Sequence, residues 1–228
     1  IDAVVNNTVG GYKVSDAVAS ILNEKNNEAL AAALVSVNVR NNEIISVNSI
    51  QLNTAGTAEN TITLDGANEV IEGNLTINAD YVEVKNLTVK GDVSITKNVV
   101  NEFNANGLVS QGQLIIEEGN NTVASLLPIF ADNKKGPKVS LKNSKFKNVN
   151  VKRQGVTLQS NTKFVEVQIS DKVSSIQLNA NAGKVVVDVT VSVEITGQGA
   201  IDEVQLVKVT EVVLKTVGSI GKLTVSDS

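Results

Sequence analysis

A chain of 228 residues with 20 basic and 24 acidic side chains has a net charge of −4, which excludes the basic footprint that nucleic-acid binding requires. Aromatic residues make up 3%, and Trp, Met, Cys and His are absent, which excludes disulfides, thiolate or imidazole metal sites and histidine-based catalysis. The core must therefore be aliphatic, built from Val, Ile and Leu in narrow layers where branched side chains sit on one another.

The length admits one elongated domain or two ordinary ones. No run approaches the roughly 18 consecutive apolar residues of a membrane span. Ile1 follows no signal-like stretch, so an exported protein is expected to have lost its leader already.

Residues 14–37 read as helical. Ser15 can cap, Asp16 suits a first turn, and Val18 with Leu22, then Leu30 with Leu34, recur at i, i+4. One or two short helices, interrupted at Asn26-Asn27, are expected to cover one end of the remaining chain. After Asn38 the period becomes two, through Ile44, Ile50, Leu52, Ile62 and Leu64, with Asn, Gly and Asp as punctuation.

Internal repetition is the informative feature. Gly73-Asn74-Leu75-Thr76-Ile77 recurs as Gly91-Asp92-Val93-Ser94-Ile95, as Gly112-Gln113-Leu114-Ile115-Ile116 and as Gly221-Lys222-Leu223-Thr224-Val225, the first copies being 18 and 21 residues apart. Val82-Glu83-Val84, Val165-Glu166-Val167 and Val204-Gln205-Leu206 read as further rungs of one ladder. A single coil of this length cannot bury its apolar residues. Stacked at about 4.8 Å, coils bury them in a continuous column and pair each backbone group with the next coil. The expected fold is all-β, a right-handed parallel β-helix over residues 39–228 with a short α-helical cap over residues 1–38.

In such a coil the repeat glycines are expected at corners of positive φ, and Asn at the turns, where it accepts left-handed geometry and can bond to the coil above. Residues 128–138, with Pro128, Gly136 and Pro137, are expected to bulge from the column as a loop. The Val-rich run at 185–191 reads as a second style of coil.

The run from Ile62 to Ile116, with Gly-Asn-Leu-Thr-Ile, Ala-Asp-Tyr-Val-Glu-Val and Asn-Leu-Thr-Val-Lys-Gly-Asp-Val-Ser-Ile, resembles the β-helical segments of S-layer and S-layer-homology surface proteins of Bacillus and Paenibacillus type. The resemblance implies an extracellular, wall-associated, Gram-positive protein that self-assembles into a surface layer or fibre, as a homo-oligomer or polymer. Nothing here looks like the helical wall-anchoring modules of such proteins, so the chain would be an assembly or spacer portion with its anchor elsewhere or absent.

Other functions would each need their own chemistry. A polysaccharide lyase or hydrolase wants clustered acids with Arg or Lys, or two carboxylates at a set separation. The only arginines are Arg40 and Arg153 and the acids are scattered, so no catalytic residue is assigned and a non-enzyme is expected. An adhesin or glycan-binding β-helix remains the main rival, with Tyr12 and Tyr81 as the only tyrosines to offer a sugar. Calcium suits the resembled family, and hard cations take oxygen ligands from turns. The candidate ligands are Asp65 with Asn68, Asn78 with Asp80, and Glu117-Glu118 with Asn120, against the alternative of solvated turn acids. Lys134, Lys135, Lys138, Lys142, Lys145, Lys147, Lys152 and Arg153 fall together and read either as a solvated edge or as a positive strip for anionic cell-wall polysaccharide or an acidic neighbour. Near Leu223 and Val225 the column has no evident cover, and a neighbouring subunit could dock there.

Overall fold

The computed structural model describes residues 8–23, 27–119, 135–170, 173–208, 211–216 and 218–226. They form one 21-stranded sheet wound into a parallel β-solenoid of about eight turns. From Ile62 onward every recorded pairing is parallel, and the strands from Val70–Ile71 to Ile201–Lys208 each lie between the coil before and the coil after. Among the described residues no helix is long and apolar enough to cross a membrane.

The register shows how the sequence builds the column. On a first face Ile62, Val82, Phe103, Val139, Leu158 and Leu178 stand one above another. A second face begins with Val47, Ile71, Val89 and Ser110. On a third face Leu52, Ile77, Ile95, Ile116, Val151, Ile169, Val187, Leu206 and Val225 share one position. From Ile77 onward these rungs recur every 18 to 21 residues, apart from a step of 35 between Ile116 and Val151. The extra chain in that step includes the expected bulge at 128–138, whose residues up to 134 lie outside the described ones; Lys138 opens the strand Lys138–Lys142.

Alternation along each strand puts every second side chain inside, and burying one Val, Leu or Ile this way stabilises by about 1.5–3 kcal/mol. Stacking makes the effect cooperative, because Ile95 is covered only when Ile77 and Ile116 sit against it. The core is aliphatic as expected, with Phe103, Phe146 and Phe164 its buried rings among the described residues.

The four glycine-led repeats all fall at the same register of the third face, through Leu75, Val93, Leu114 and Leu223. Their glycines serve a different purpose from the one expected: Gly73, Gly91, Gly112 and Gly221 have no positive φ. Close approach of coil to coil is what requires them. A Cβ on Gly73 would stand 2.5 Å from the Asn48 carbonyl oxygen, and one on Gly112 would stand 2.6 Å from that of Gly91.

Another part of the ladder reading needs correction. Val82 and Val84 belong to the first face, whereas Val167 and Val204 belong to the third, where Val185 links them. Val165 is 69% exposed. These triplets look alike in sequence, but Val82-Glu83-Val84 and Val204-Gln205-Leu206 turn both apolar residues inward on different faces, whereas Val165-Glu166-Val167 buries only Val167.

At the N-terminal end Ser15 caps the helix Asp16–Ile21, its hydroxyl accepting from the Val18 N–H at 3.4 Å. Val18, Ile21, Leu22, Ala29 and Leu30 pack on the first rungs. Asn27 is 1% exposed and ties this cover down, donating to the Ile21 carbonyl at 2.8 Å and accepting from the Asp65 N–H at 2.5 Å. Helix does not persist to residue 37. After the single 3-10 turn Glu28–Leu30, the segment Leu34–Arg40 is a strand antiparallel to Glu43–Leu52, and the expected boundary at 38 falls inside it. Alternating Val35, Val37 and Val39 favour extended backbone, and a long partner strand satisfies it, which outweighs the i, i+4 spacing of Leu30 and Leu34.

Candidate functional site

The turn residues named as calcium ligands act as connectors between coils. The Asp80 carboxylate accepts from the backbone N–H groups of Val100, Asn101 and Glu102 at 2.9, 2.7 and 3.2 Å, and from the Asn101 side-chain amide at 3.0 Å. Asn78 Oδ1 accepts from Thr96 at 2.8 Å and Asn98 at 2.9 Å, while its amide donates to Asn53 at 2.8 Å. Asp65 accepts from the Ala67 N–H at 2.9 Å and the Asn86 amide at 3.2 Å, and Asn68 meets the Asn86 carbonyl through its backbone. Glu117 gives its carbonyl to Arg153, Glu118 points to solvent, and Asn120 lies outside the described residues. Asp65–Asn68, Asn78–Asp80 and Glu117–Glu118 thus sit on separate turns. Among the described residues no three acidic side chains gather in one group.

The asparagine ladders do form. One runs through Asn53, Asn78 and Asn98, and another through Asn106, Asn143 and Asn161, with amide contacts of 3.2 and 3.0 Å in the latter. Asn68, Asn86 and Asn143 also hold left-handed backbone, with φ of 66°, 47° and 50°. Asn serves here because its short amide tolerates that geometry and bonds to the next coil at once.

The lysines that cluster in sequence spread out around the column. Lys138 and Lys142 stand on the first face, Lys145 pairs with Val109 on the second, the Lys147 N–H meets the Gly112 carbonyl at the next corner, and Lys152 follows the third-face strand Val149–Val151. The result is a belt around one coil. Lys135 is exposed beside it, and Lys134 lies outside the described residues.

Arg153 leaves the belt altogether. It is 8% exposed, with Nε donating to the Glu117 carbonyl at 2.8 Å and a terminal nitrogen donating to the Val99 carbonyl at 2.6 Å. Burial lowers its pKa from the ordinary arginine value, while the charges of Glu117 and Asp80 oppose the shift. Its guanidinium is a bolt between coils, in place of the surface charge expected from the sequence.

Leu223 and Val225 are 56% and 60% exposed, although their counterparts one rung earlier, Val204 and Leu206, are buried. Tyr12 is exposed beside the N-terminal cover, and Tyr81 is half-buried with a φ of 56°.

Comparison with family models, curated proteins and solved structures gave no match.

One feature of the surface was not expected from the sequence. Outward from the first face, Thr63, Glu83, Asn104, Ser140, Gln159 and Asn179 stand in single file, one per rung. The side chains line clefts along that face, the central one about 520 Å³. A polar residue between two inward ones, as in Ile62-Thr63-Leu64 and Val139-Ser140-Leu141, was the available signal, but only register across steps of 19 to 36 residues lines them up.

Proposed function

We propose that the chain is a structural module of a cell surface, a stiff spacer and self-assembling unit of an S-layer or extracellular fibre, working through its faces and ends without catalysis. One observation carries this reading. Leu223 and Val225 continue the core register onto the last described rung, where apolar side chains and the outer edge of the strand Ile220–Val225 have no partner among the described residues. An edge of that kind invites strand addition. The opposite end differs, because helix, 3-10 turn and the antiparallel strand Leu34–Arg40 cover it. A further coil or a second copy seated on the last described rung would cover it, and a second copy so seated joins head to tail, which gives filaments when the rotation does not close.

The same reading places the protein outside the cell on a Gram-positive wall. There the lysine belt faces anionic wall polymer or an acidic neighbour, and calcium is the candidate ion for the turn carboxylates. Sedimentation and electron microscopy of the purified protein, with and without calcium, test the proposal. Filaments or sheets that disappear in the double variant Leu223→Lys, Val225→Glu are expected. A monomer at every concentration and calcium level would overturn the assembly reading.

A further inference from the structure

We infer that the first face is a binding cleft for a neutral, extended polysaccharide strand lying along the column axis. The inference stands apart from the assembly proposal, since the floor side chains it uses, Asn104, Ser140, Gln159 and Asn179, lie away from both ends. Three clefts of about 770, 520 and 250 Å³ follow one another along this side of the molecule. The first ends at Lys85, whose Nζ lies 2.9 Å from Glu83 in the second, and the second shares Ser160, Asn161 and Asn179 with the third.

The floor of the cleft is periodic. Asn104, Ser140, Gln159 and Asn179 offer one hydrogen-bonding group per rung, at the spacing of about 4.8 Å between neighbouring strands. An extended β-linked glycan advances by nearly that distance per sugar, so each ring can meet one rung with its edge hydroxyls. Two floor atoms also lack partners. Ser140 Oγ and Asn179 Oδ1 are shut from solvent without a hydrogen bond, on side chains that are otherwise part exposed. A rotation about χ1 would turn each toward the cleft, where a sugar hydroxyl would satisfy it.

Charge is nearly balanced along the clefts, with Glu28, Asp65 and Glu83 against Lys85, Lys138, Lys142 and Lys163. Glu83 is paired with Lys85, Lys138 lies 3.5 Å from Glu102 and Lys163 is paired with Asp202, so Lys142 is the lining cation outside a recorded ion pair and most of the lining is amides and hydroxyls. Peptide is a poorer fit, because the backbone of every first-face strand between Val82 and Ile195 is already paired on both sides and offers no edge for strand addition. Tyr12 and Tyr81 do not line the clefts, so recognition would run through ring edges, without stacking on ring faces.

Titration calorimetry with β-1,4-linked hexasaccharides of glucose and of N-acetylglucosamine, their trisaccharides and hexagalacturonate tests the inference on the full chain. Saturable binding of a neutral hexasaccharide is expected, weaker for the trisaccharide because fewer rungs engage. The triple variant Asn104→Ala, Gln159→Ala, Asn179→Ala should bind about tenfold or more weakly, as loss of several neutral hydrogen bonds implies, with an unchanged thermal melt and unchanged assembly. No binding of either neutral hexasaccharide, or equal binding by the folded triple variant, would overturn it. Salt-sensitive binding of hexagalacturonate alone would also overturn it, because recognition would then run through the belt lysines, Lys138 and Lys142 of the cleft among them, and not through the amides and hydroxyls.

Discussion

The coils formed by residues 62–161 and those formed by residues 162–226 share one core but turn their corners differently. In the earlier coils the first and second faces meet at a left-handed residue, supplied by Asn86, Gly107 and Asn143 in turn. Amide ladders and the Asp80 carboxylate then fasten each corner to the next. In the later coils that corner is a turn between separate strands, and the next corner, where Gly73, Gly91 and Gly112 stand in the earlier coils, is absorbed into continuous strands. Phe164, Ala182, Ile201 and Ile220 begin strands that run straight into the third face, and the fastening passes to exposed ion pairs such as Lys208 with Asp188 at 3.0 Å and Lys215 with Glu194 at 3.1 Å. A left-handed corner demands Asn or Gly, whereas a bent strand asks only for β-branched residues. The fall in Asn and the rise in Val along the chain accompany these two changes, the loss of a left-handed residue at one corner and the merging of strands at the next.

The difference can be broken most severely close to where the two styles meet. Arg153 stands one strand short of that junction, in the earlier coils, where it holds the carbonyls of Val99 and Glu117. Arg153→Ala would strand both acceptors in a dry site, and each buried group left unsatisfied costs about 1–3 kcal/mol. Chemical denaturation should show the chain destabilised by about 2–4 kcal/mol, an effect that Arg153→Lys only partly repairs because one ammonium cannot reproduce the guanidinium fork. A loss within about 0.5 kcal/mol, the range of an ordinary surface substitution, would return Arg153 to the belt of surface charges.

Less severe is the loss of Asp80, which fastens an early coil through three backbone N–H groups and one side-chain amide. Asp80→Ala is expected to cost about 1.5–3 kcal/mol, the range for hydrogen bonds to a charged group. Hydrogen exchange should locate the damage, with faster exchange at Val100, Asn101 and Glu102 and little change at Val204 or Leu206, since each coil of a solenoid contacts only its neighbours. Equal loosening at both ends would mean that the column melts as one unit.

What the sequence made legible, and what it hid, divides along the same physical line. Contacts between successive equivalent residues were readable, because an apolar repeat of 18 to 21 residues poor in aromatics has few other ways to be buried, and the stacked asparagines arise from the same repeat. Anything set by where a coil turns was not. Lys138 to Lys152 are close in sequence, yet a coil carries its neighbours around the circumference, so they form a belt. Val165 looked like a rung because alternation is local, whereas its phase against Val185 depends on the preceding turn. Leu34 stood at helical spacing from Leu30, but its pairing with Gln51 is decided by the hairpin. The cleft escaped for the same reason: its residues are separated by whole coils and come together only in register.

The finest test separates the corner from its fastening. Asn86 holds a φ of 47° and also donates to Asp65 at 3.2 Å on an exposed part of the turn. Gly107 fills the same corner one coil later with no side chain. If backbone geometry dominates, Asn86→Gly should change stability by less than about 0.5 kcal/mol, while Asn86→Ala should cost about 1–2 kcal/mol, the penalty for a Cβ in left-handed backbone. If the amide bond dominates, the two variants should lose equal amounts. Lys215→Met supplies the late-coil reference, since removing one partner of an exposed ion pair should shift stability by about 0–1 kcal/mol and less in salt. A melt in which Asn86→Ala falls below Lys215→Met while Asn86→Gly stays at the parent value would assign the corner's rigidity to its dihedral angle, and with it the reason Asn is concentrated in the earlier coils.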